Sequence, residues 1–553
     1  MPKDFLRNAH SSKEVPVGRK VGVIPPDLRP GKPQSSSSLG ISEPIFAAVL
    51  MGILCSVVFH GYELINFSID PDEENLLGRA TPIFSALLLR WGGYISGTLI
   101  LPETIFPITA LSMFLFAYGA SFILIVSTLK IEDWRSVVVA APFYFGFPVL
   151  LYVLVYNPLS YSVGLGILSA TTVLWLSRSR TLVGFIGSTL LLAFAVSTYQ
   201  SVLWFAIALF GADVLASTGG GENKLQSDWI SKTLWYVMIV IIGLIEYFLI
   251  GFALLAYLGV EVVYIDSYLN IGTLFGDTLK VMGLSASELG SIYGGYAPIF
   301  LGQGFYYKLL AVALMSVTAW HLVRLGKRRW AAGIISFALV VVILIAPFLQ
   351  HPTAGGFMPY RTLVGVPVAI SVIVLFAMET APKLLRRWLF LPLAVPLLIE
   401  FSAINNIQYY SGHWRAERDK MIASQIVLRL EDLAPNQTTY RIAVVGAGPV
   451  YNDPLVRPVQ SSTLAYSIFE VTGGNHRRIA NYLRFLSDVP FLPANQEQLE
   501  KAIEFAPQMP IWPVPGSVAQ LHDIFVIKFG EPTQAQILTS CNGRHSDFCS
   551  QKR

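Results

Sequence analysis

Apolar residues run almost unbroken through eleven stretches, near 44–65, 105–128, 137–155, 160–176, 183–198, 201–215, 234–258, 305–323, 331–348, 362–378 and 388–404. A bilayer core about 30 Å thick takes about 20 such residues per helix. The pattern therefore predicts an all-α polytopic bundle of about eleven transmembrane helices. The fifth and sixth stretches are short, so their ends are less sharply defined. Some forty residues precede the first run and no small-residue cleavage site follows it. It reads as an anchor and not as a removed leader.

Outside these runs the pattern changes twice. Residues 1–43, with Pro25-Pro26, Pro30, Pro33 and Ser35 to Ser38, read as a flexible cytoplasmic tail. Residues 44–405 form the membrane domain. Residues 406–553 read as a small α/β domain outside the membrane. Within it Tyr440–Val445 and Ile524–Phe529 have strand character, and 475–487 brings Ile479, Leu483 and Leu486 to one helical face. A second short helix is expected over 495–505.

Composition supports the membrane reading. Hydrophobic residues are 54% of the 553 and charged residues 13%, about half the roughly 25% of soluble chains. Mean hydropathy is +0.56. The net charge of +4 excludes a basic nucleic-acid binder, and the apolar content excludes a disordered chain. Lys and Arg are segregated. Twenty lie in 1–43, 129–136, 177–182, 216–233, 324–330 and 379–387, and four in 66–104, 156–159, 199–200, 259–304 and 349–361. By the positive-inside rule the first set is cytoplasmic, and an odd span count puts the C-terminus outside. Cys541 and Cys549 then lie on the oxidising side, eight positions apart, where a disulfide is expected. Cys55, inside the first run, reads as an inert packing residue.

Candidate chemistry concentrates just after the first run, in Asp70-Pro71-Asp72-Glu73-Glu74 followed by Gly78-Arg79. From Thr81-Pro82 a helix is expected, with Phe84, Leu87, Leu88 and Trp91 on one face lying in the interface plane. A carboxylate at headgroup height can take the proton of an acceptor hydroxyl during transfer from a lipid-anchored donor. The leaving phosphate then needs a cation or a metal. Two carboxylates of this cluster spaced i, i+2 can instead hold a divalent ion, the one cofactor this pattern suggests. The plainer alternative is a solvated acidic connector.

These residues resemble the first outer loop of the Gtr-type O-antigen glucosyltransferases, serotype-converting membrane enzymes of the GT-C class. Ser197-Thr198-Tyr199-Gln200-Ser201 between two spans is similar too. So are Met509-Pro510-Ile511-Trp512-Pro513 and Pro515-Gly516-Ser517-Val518, which run into the strand ending Ile527-Lys528. The resemblance covers about 44 to 530, in order. It implies an inverting transfer of glucose from a polyprenyl-phosphate sugar to a lipid-linked polysaccharide, outside a bacterial inner membrane. The base would be Asp70 or Asp72, with Glu73 next.

Arg361 is the only Lys or Arg of 349–361. It can hold the donor phosphate through a bidentate contact or snorkel to headgroups, and Arg79 has the same two readings. Tyr199 and Gln200, on a tight turn, can hydrogen-bond a sugar or serve as interface residues. His351 reads as a loop-end histidine before a phosphate or metal ligand. Glu246, mid-membrane in the seventh run, reads first as a paired structural group. Gly446-Ala447-Gly448 lacks the third glycine and the helix of a dinucleotide loop. A transporter or flippase for a lipid-linked sugar is the competing class, but no repeated half accompanies the acidic loop.

Overall fold

The structure is a computed structural model. It describes residues 42–69, 71, 73, 81–101, 107–218, 225–261, 278–354, 356, 358–448, 464–487 and 489–541. The fold is built around helices that follow the apolar runs: α1 (Glu43–Ile65), α2 (Thr81–Leu87), α3 (Trp91–Leu99), α4 (Pro107–Thr128), α5 (Trp134–Gly146), α6 (Leu151–Leu154), α7 (Asn157–Leu176), α8 (Leu182–Thr198), α9 (Val202–Thr218) and α10 (Leu225–Leu258). After these come α11 (Thr278–Tyr293), α12 (Phe305–Arg328), α13 (Trp330–Ile345), α14 (Gln350–Ala354), α15 (Gly365–Thr380) and α16 (Leu391–Leu433).

The helices follow the apolar runs, and the run 137–155 is divided between α5 and α6 at Phe147, whose backbone is extended. Among the described residues eight helices are long and apolar enough to cross a membrane, and α8, α9 and α15 are shorter apolar helices. At 17, 17 and 16 residues and 1.5 Å per residue, these three reach about 24–26 Å, less than the bilayer core. They pack on neighbouring helices: α8 on α7 and α10, α9 on α13, and α15 on α5 and α9.

The two ends differ in how they handle charge. At the cation-rich end Asp213 of α9 takes an ion pair from Arg178, a second from Lys232 at 3.2 Å and the hydroxyl of Tyr236 at 2.8 Å. Asp133 there pairs with Arg386 at 2.9 Å and accepts the Arg135 backbone N–H, capping α5. At the cation-poor end the polar contacts are mostly neutral. His60 Nε2 lies 2.8 Å from the Phe145 carbonyl, which can only accept, so Nδ1 accepts from the Tyr409 hydroxyl at 2.9 Å. Asn405 donates to Gly146 O at 3.0 Å and Gln408 to Ile299 O at 2.8 Å. These contacts stitch α16 to the ends of α1 and α5 and to the turn Pro298–Phe300.

Three expectations are corrected. The segment from Thr81 to Trp91 is not one interface helix. Leu89 adopts a left-handed conformation (φ 57°), with Arg90 N donating to Ser85 O at 2.8 Å and Leu89 N to Ala86 O at 2.9 Å. That is a Schellman-type stop. It takes a leucine where glycine is usual because Leu89 is buried. Phe84, Leu87 and Leu88 are only half-buried, and Trp91 opens a second helix. In 259–304, where no element was expected, α11 forms. The boundary at 405/406 falls inside α16, a single helix of 43 residues, about 65 Å long.

One helix therefore serves two cores. Leu397, Phe401 and Ile404 of α16 belong to the bundle core. Ile422, Ala423, Ile426 and Leu430 pack beneath a four-stranded sheet. Its strands are β1 (Tyr440–Val445), β2 (Phe491–Pro493), β3 (Val518–Leu521) and β4 (Ile524–Lys528). Their order is β2-β1-β4-β3, parallel except for β3 against β4. Flanking them are α17 (His476–Leu486), α18 (Gln496–Phe505) and α19 (Gln534–Cys541). Asn495 caps α18 through a reciprocal box with Gln498.

The Met509–Val518 stretch is structural. Arg429 of α16 lies 4.3 Å over the buried Trp512 ring and donates to Pro513 O at 2.6 Å and Ser517 Oγ at 3.0 Å. At Gly446, Gln536 accepts the backbone N–H at 2.9 Å, so the donor a phosphate loop would offer is already taken. Cys55 is free and buried. The expected Cys541–Cys549 bond lies outside the described residues through Cys549, as does the tail 1–41.

Candidate functional site at the cation-poor end

Two glycines set the first half of the site. A Cβ on Gly92 of α3 would collide with Ser197, and one on Gly166 of α7 with Thr198. The last turn of α8 therefore seats closely between these helices. The chain turns through Tyr199, Gln200 and Ser201 and enters α9 at once.

The Schellman stop brings Arg90 to this turn. Arg90 is 8% exposed. Its Nε donates to Gln200 Oε1 at 3.0 Å, and its guanidinium carbon lies 4.7 Å over the Tyr199 ring. Gln200 Nε2 donates to Leu88 O at 2.9 Å, and Trp91 Nε1 donates to Tyr247 O at 3.1 Å. Tyr199 and Gln200 were expected as sugar contacts. Here they hold an arginine whose remaining N–H groups take no hydrogen bond among the described residues. Sequence reasoning passed over Arg90, although its signal was present as one of four cations on a cation-poor side.

The second half gathers at Tyr156-Asn157. Glu73 is 1% exposed, and its Oε1 accepts the Asn157 backbone N–H at 2.7 Å. Asn157 opens α7, so a carboxylate sits at a helix N-terminus, where the macrodipole favours it. Pro71 is buried too. The acidic loop is thus pinned at alternate residues. Arg361, in the turn Tyr360–Thr362, lies 5.3 Å from the neighbouring Tyr156 ring. Tyr360 packs on Tyr152 with ring centroids 5.6 Å apart.

Asp70, Asp72, Glu74 and Arg79 lie outside the described residues, and with them any i, i+2 carboxylate pair of the cluster. Among the described residues no three His, Cys, Asp or Glu side chains converge as metal ligands.

A third group joins the halves. Ser201 donates to Gln350 Oε1 at 2.8 Å. Next to Gln350, His351 Nε2 lies 2.9 Å from Glu288 Oε2 of α11. The Glu288–His351 pair was not expected, because α11 itself was not. Tyr293 ties the end of α11 to Leu344 O at 2.8 Å. Glu246 Oε1 accepts from Thr189 at 3.0 Å, while its Oε2 is buried without a hydrogen-bond partner.

Apolar helices enclose carboxylates, tyrosine-backed arginines and side-chain amides at this end. The family model for glucosyl transferase GtrII matches residues 61–378, more than half of the chain. The chain belongs to that family and is a glucosyltransferase. The matched region holds Glu73, Arg90, Gln200, Glu288 and Arg361, and it ends within α15. No curated protein and no solved structure matches the chain.

Proposed function

We propose that the protein transfers glucose from a polyprenyl-phosphate donor to a hydroxyl of a lipid-linked polysaccharide such as O-antigen. The cation-poor end would face the periplasm from the inner membrane. The observation that carries this reading is the pair of half-sites, Arg90 on Tyr199 and Arg361 on Tyr156, at the end where Glu73 anchors the acidic loop.

In the proposed reaction the acceptor oxygen bonds to the anomeric carbon as the bond from that carbon to the phosphate oxygen breaks. Asp70 or Asp72 takes the acceptor proton. The electron pair leaves on polyprenyl phosphate, whose growing charge meets Arg90 and Arg361. A single displacement of this kind inverts the anomeric centre. Glu73 serves as the loop's anchor, since its Oε1 is committed to the start of α7.

Purified protein in vesicles, given labelled polyprenyl-phosphate glucose and a lipid-linked acceptor, should yield labelled acceptor. Donor movement across the bilayer without transfer would overturn the reading. A reporter fused after Asn406 should be active only outside the cytoplasm, and cytoplasmic activity would reverse the orientation.

A further inference from the structure

Half of the described positions of α11 are exposed. Its buried positions Val281, Glu288 and Ile292 fall at i, i+7 and i+11, the one stripe a helix of this period turns inward. A glutamate in that stripe is costly unless its oxygens are satisfied. Among the described residues Oε2 has an ion-pair neighbour at 2.9 Å, His351 Nε2, with no hydrogen bond between them, and Oε1 has none. Glu288 is 7% exposed; its Oε2 faces His351 Nε2, while Oε1 is buried without a hydrogen-bond partner.

His351 cannot turn to serve both oxygens. Its Nδ1 accepts the Met358 backbone N–H at 2.9 Å, which fixes the ring and leaves its proton on the Glu288 side. Beside it Gln350, 5% exposed, repeats the pattern. Its Oε1 takes the Ser201 hydroxyl, and its Nε2 is buried with no partner among the described residues. An orphaned carboxylate acceptor thus stands against His351 where α11 meets α14, and an orphaned amide donor comes from the residue before it in the chain. They lie on the same end as Arg90 and Arg361.

Such a pair suits a neutral ligand that both donates and accepts. A phosphate would be repelled by Glu288, whereas vicinal hydroxyls of a sugar ring complement both atoms. We propose that Glu288 Oε1 and Gln350 Nε2 form a hydroxyl-reading subsite for a hexose ring, separate from the arginines that meet the phosphate. This rests on the glucosyltransfer reading and adds a specificity element to it. The hexose belongs to the donor or to the terminal sugar of the acceptor.

The test uses full-length protein in vesicles and compares wild type, Glu288→Gln and Gln350→Ala. One arm offers polyprenyl-phosphate glucose and its monodeoxy analogues, and the other offers acceptors with monodeoxy terminal sugars. Each variant should lower kcat/KM for the parent sugar by roughly 10- to 150-fold, the worth of a hydrogen bond to a charged group or the loss of a buried partner. The analogue lacking the recognised hydroxyl should lose nothing further, and the arm in which this occurs identifies the ring. Equal losses for every analogue in both arms would overturn the subsite and leave the glucosyltransfer reading intact. If wild type transfers no glucose, that reading fails by itself. Saturation-transfer NMR with methyl glucoside and its deoxy series then decides the subsite. Saturation that disappears at particular ring positions in the variants supports it, and a saturation pattern that is unchanged, or absent in wild type, refutes it. Where Glu288→Gln does not fold, Gln350→Ala carries the same comparison.

Discussion

Replacing Arg90 by alanine separates a phosphate-binding arginine from a structural one. Among the described residues Arg90 makes one charge-assisted bond, to Gln200, and one face contact, with Tyr199. Losing both costs about 1–3 kcal/mol of stability, and Gln200 keeps its bond to Leu88 O. A charged contact to the leaving phosphate is worth a further ~1.5–3 kcal/mol, so kcat/KM for the donor should fall roughly 10- to 150-fold. Arg90→Lys should recover only part of this, because an ammonium on Gln200 cannot also present a planar fork to phosphate. Gln200→Leu leaves the cation but frees it. If Gln200 acts through Arg90, the double variant should lose no more than Arg90→Ala alone. The assay is initial-rate transfer of labelled glucose in vesicles at varied donor concentration, with thermal unfolding of each variant in detergent. Arg90→Ala within about twofold of wild type, or fully additive losses in the double variant, would refute the assignment.

Asp70→Asn or Asp72→Asn should cut transfer about 100- to 10,000-fold, the usual worth of a general base; normal rates in both single variants and in the double variant would exclude the first-loop mechanism. Glu73→Gln should lower thermal stability, by about 0.3–2 kcal/mol for a carboxylate at a helix N-terminus, while folded protein keeps its turnover. A collapse of turnover at unchanged melting temperature would make Glu73 the base instead. Burial holds the His476 imidazole below its ordinary pKa, against a smaller opposing effect from its contact with Ala494 O. The unfolded chain therefore binds a proton near pH 6.5 that the folded state resists, and stability should fall as pH drops below about 6.5. His476→Gln should flatten that acid limb in urea unfolding followed at Trp512, and an unchanged limb would count against the buried-imidazole account.

Period and composition alone located the apolar helices, because a run of that length has one stable form in a bilayer. They also located β1, β4, α17 and α18 to within about two residues, where alternation or a capped amphipathic face declares the element locally. The acidic loop, Arg361 and the Tyr199-Gln200 turn were legible as scarce polar residues in apolar surroundings. What those residues touch was not. Arg90 meets Gln200 across 110 positions, and the encounter depends on a left-handed Leu89 and on glycines that admit the end of α8. Glu288 became notable only once α11 turned it inward against His351. That Glu73, a candidate base, accepts the backbone N–H at the start of α7 was visible only in the fold. Local pattern reports what a residue does to its own backbone. Which polar groups face one another is set by how closely helices approach, a property of surfaces that come together only in the folded bundle.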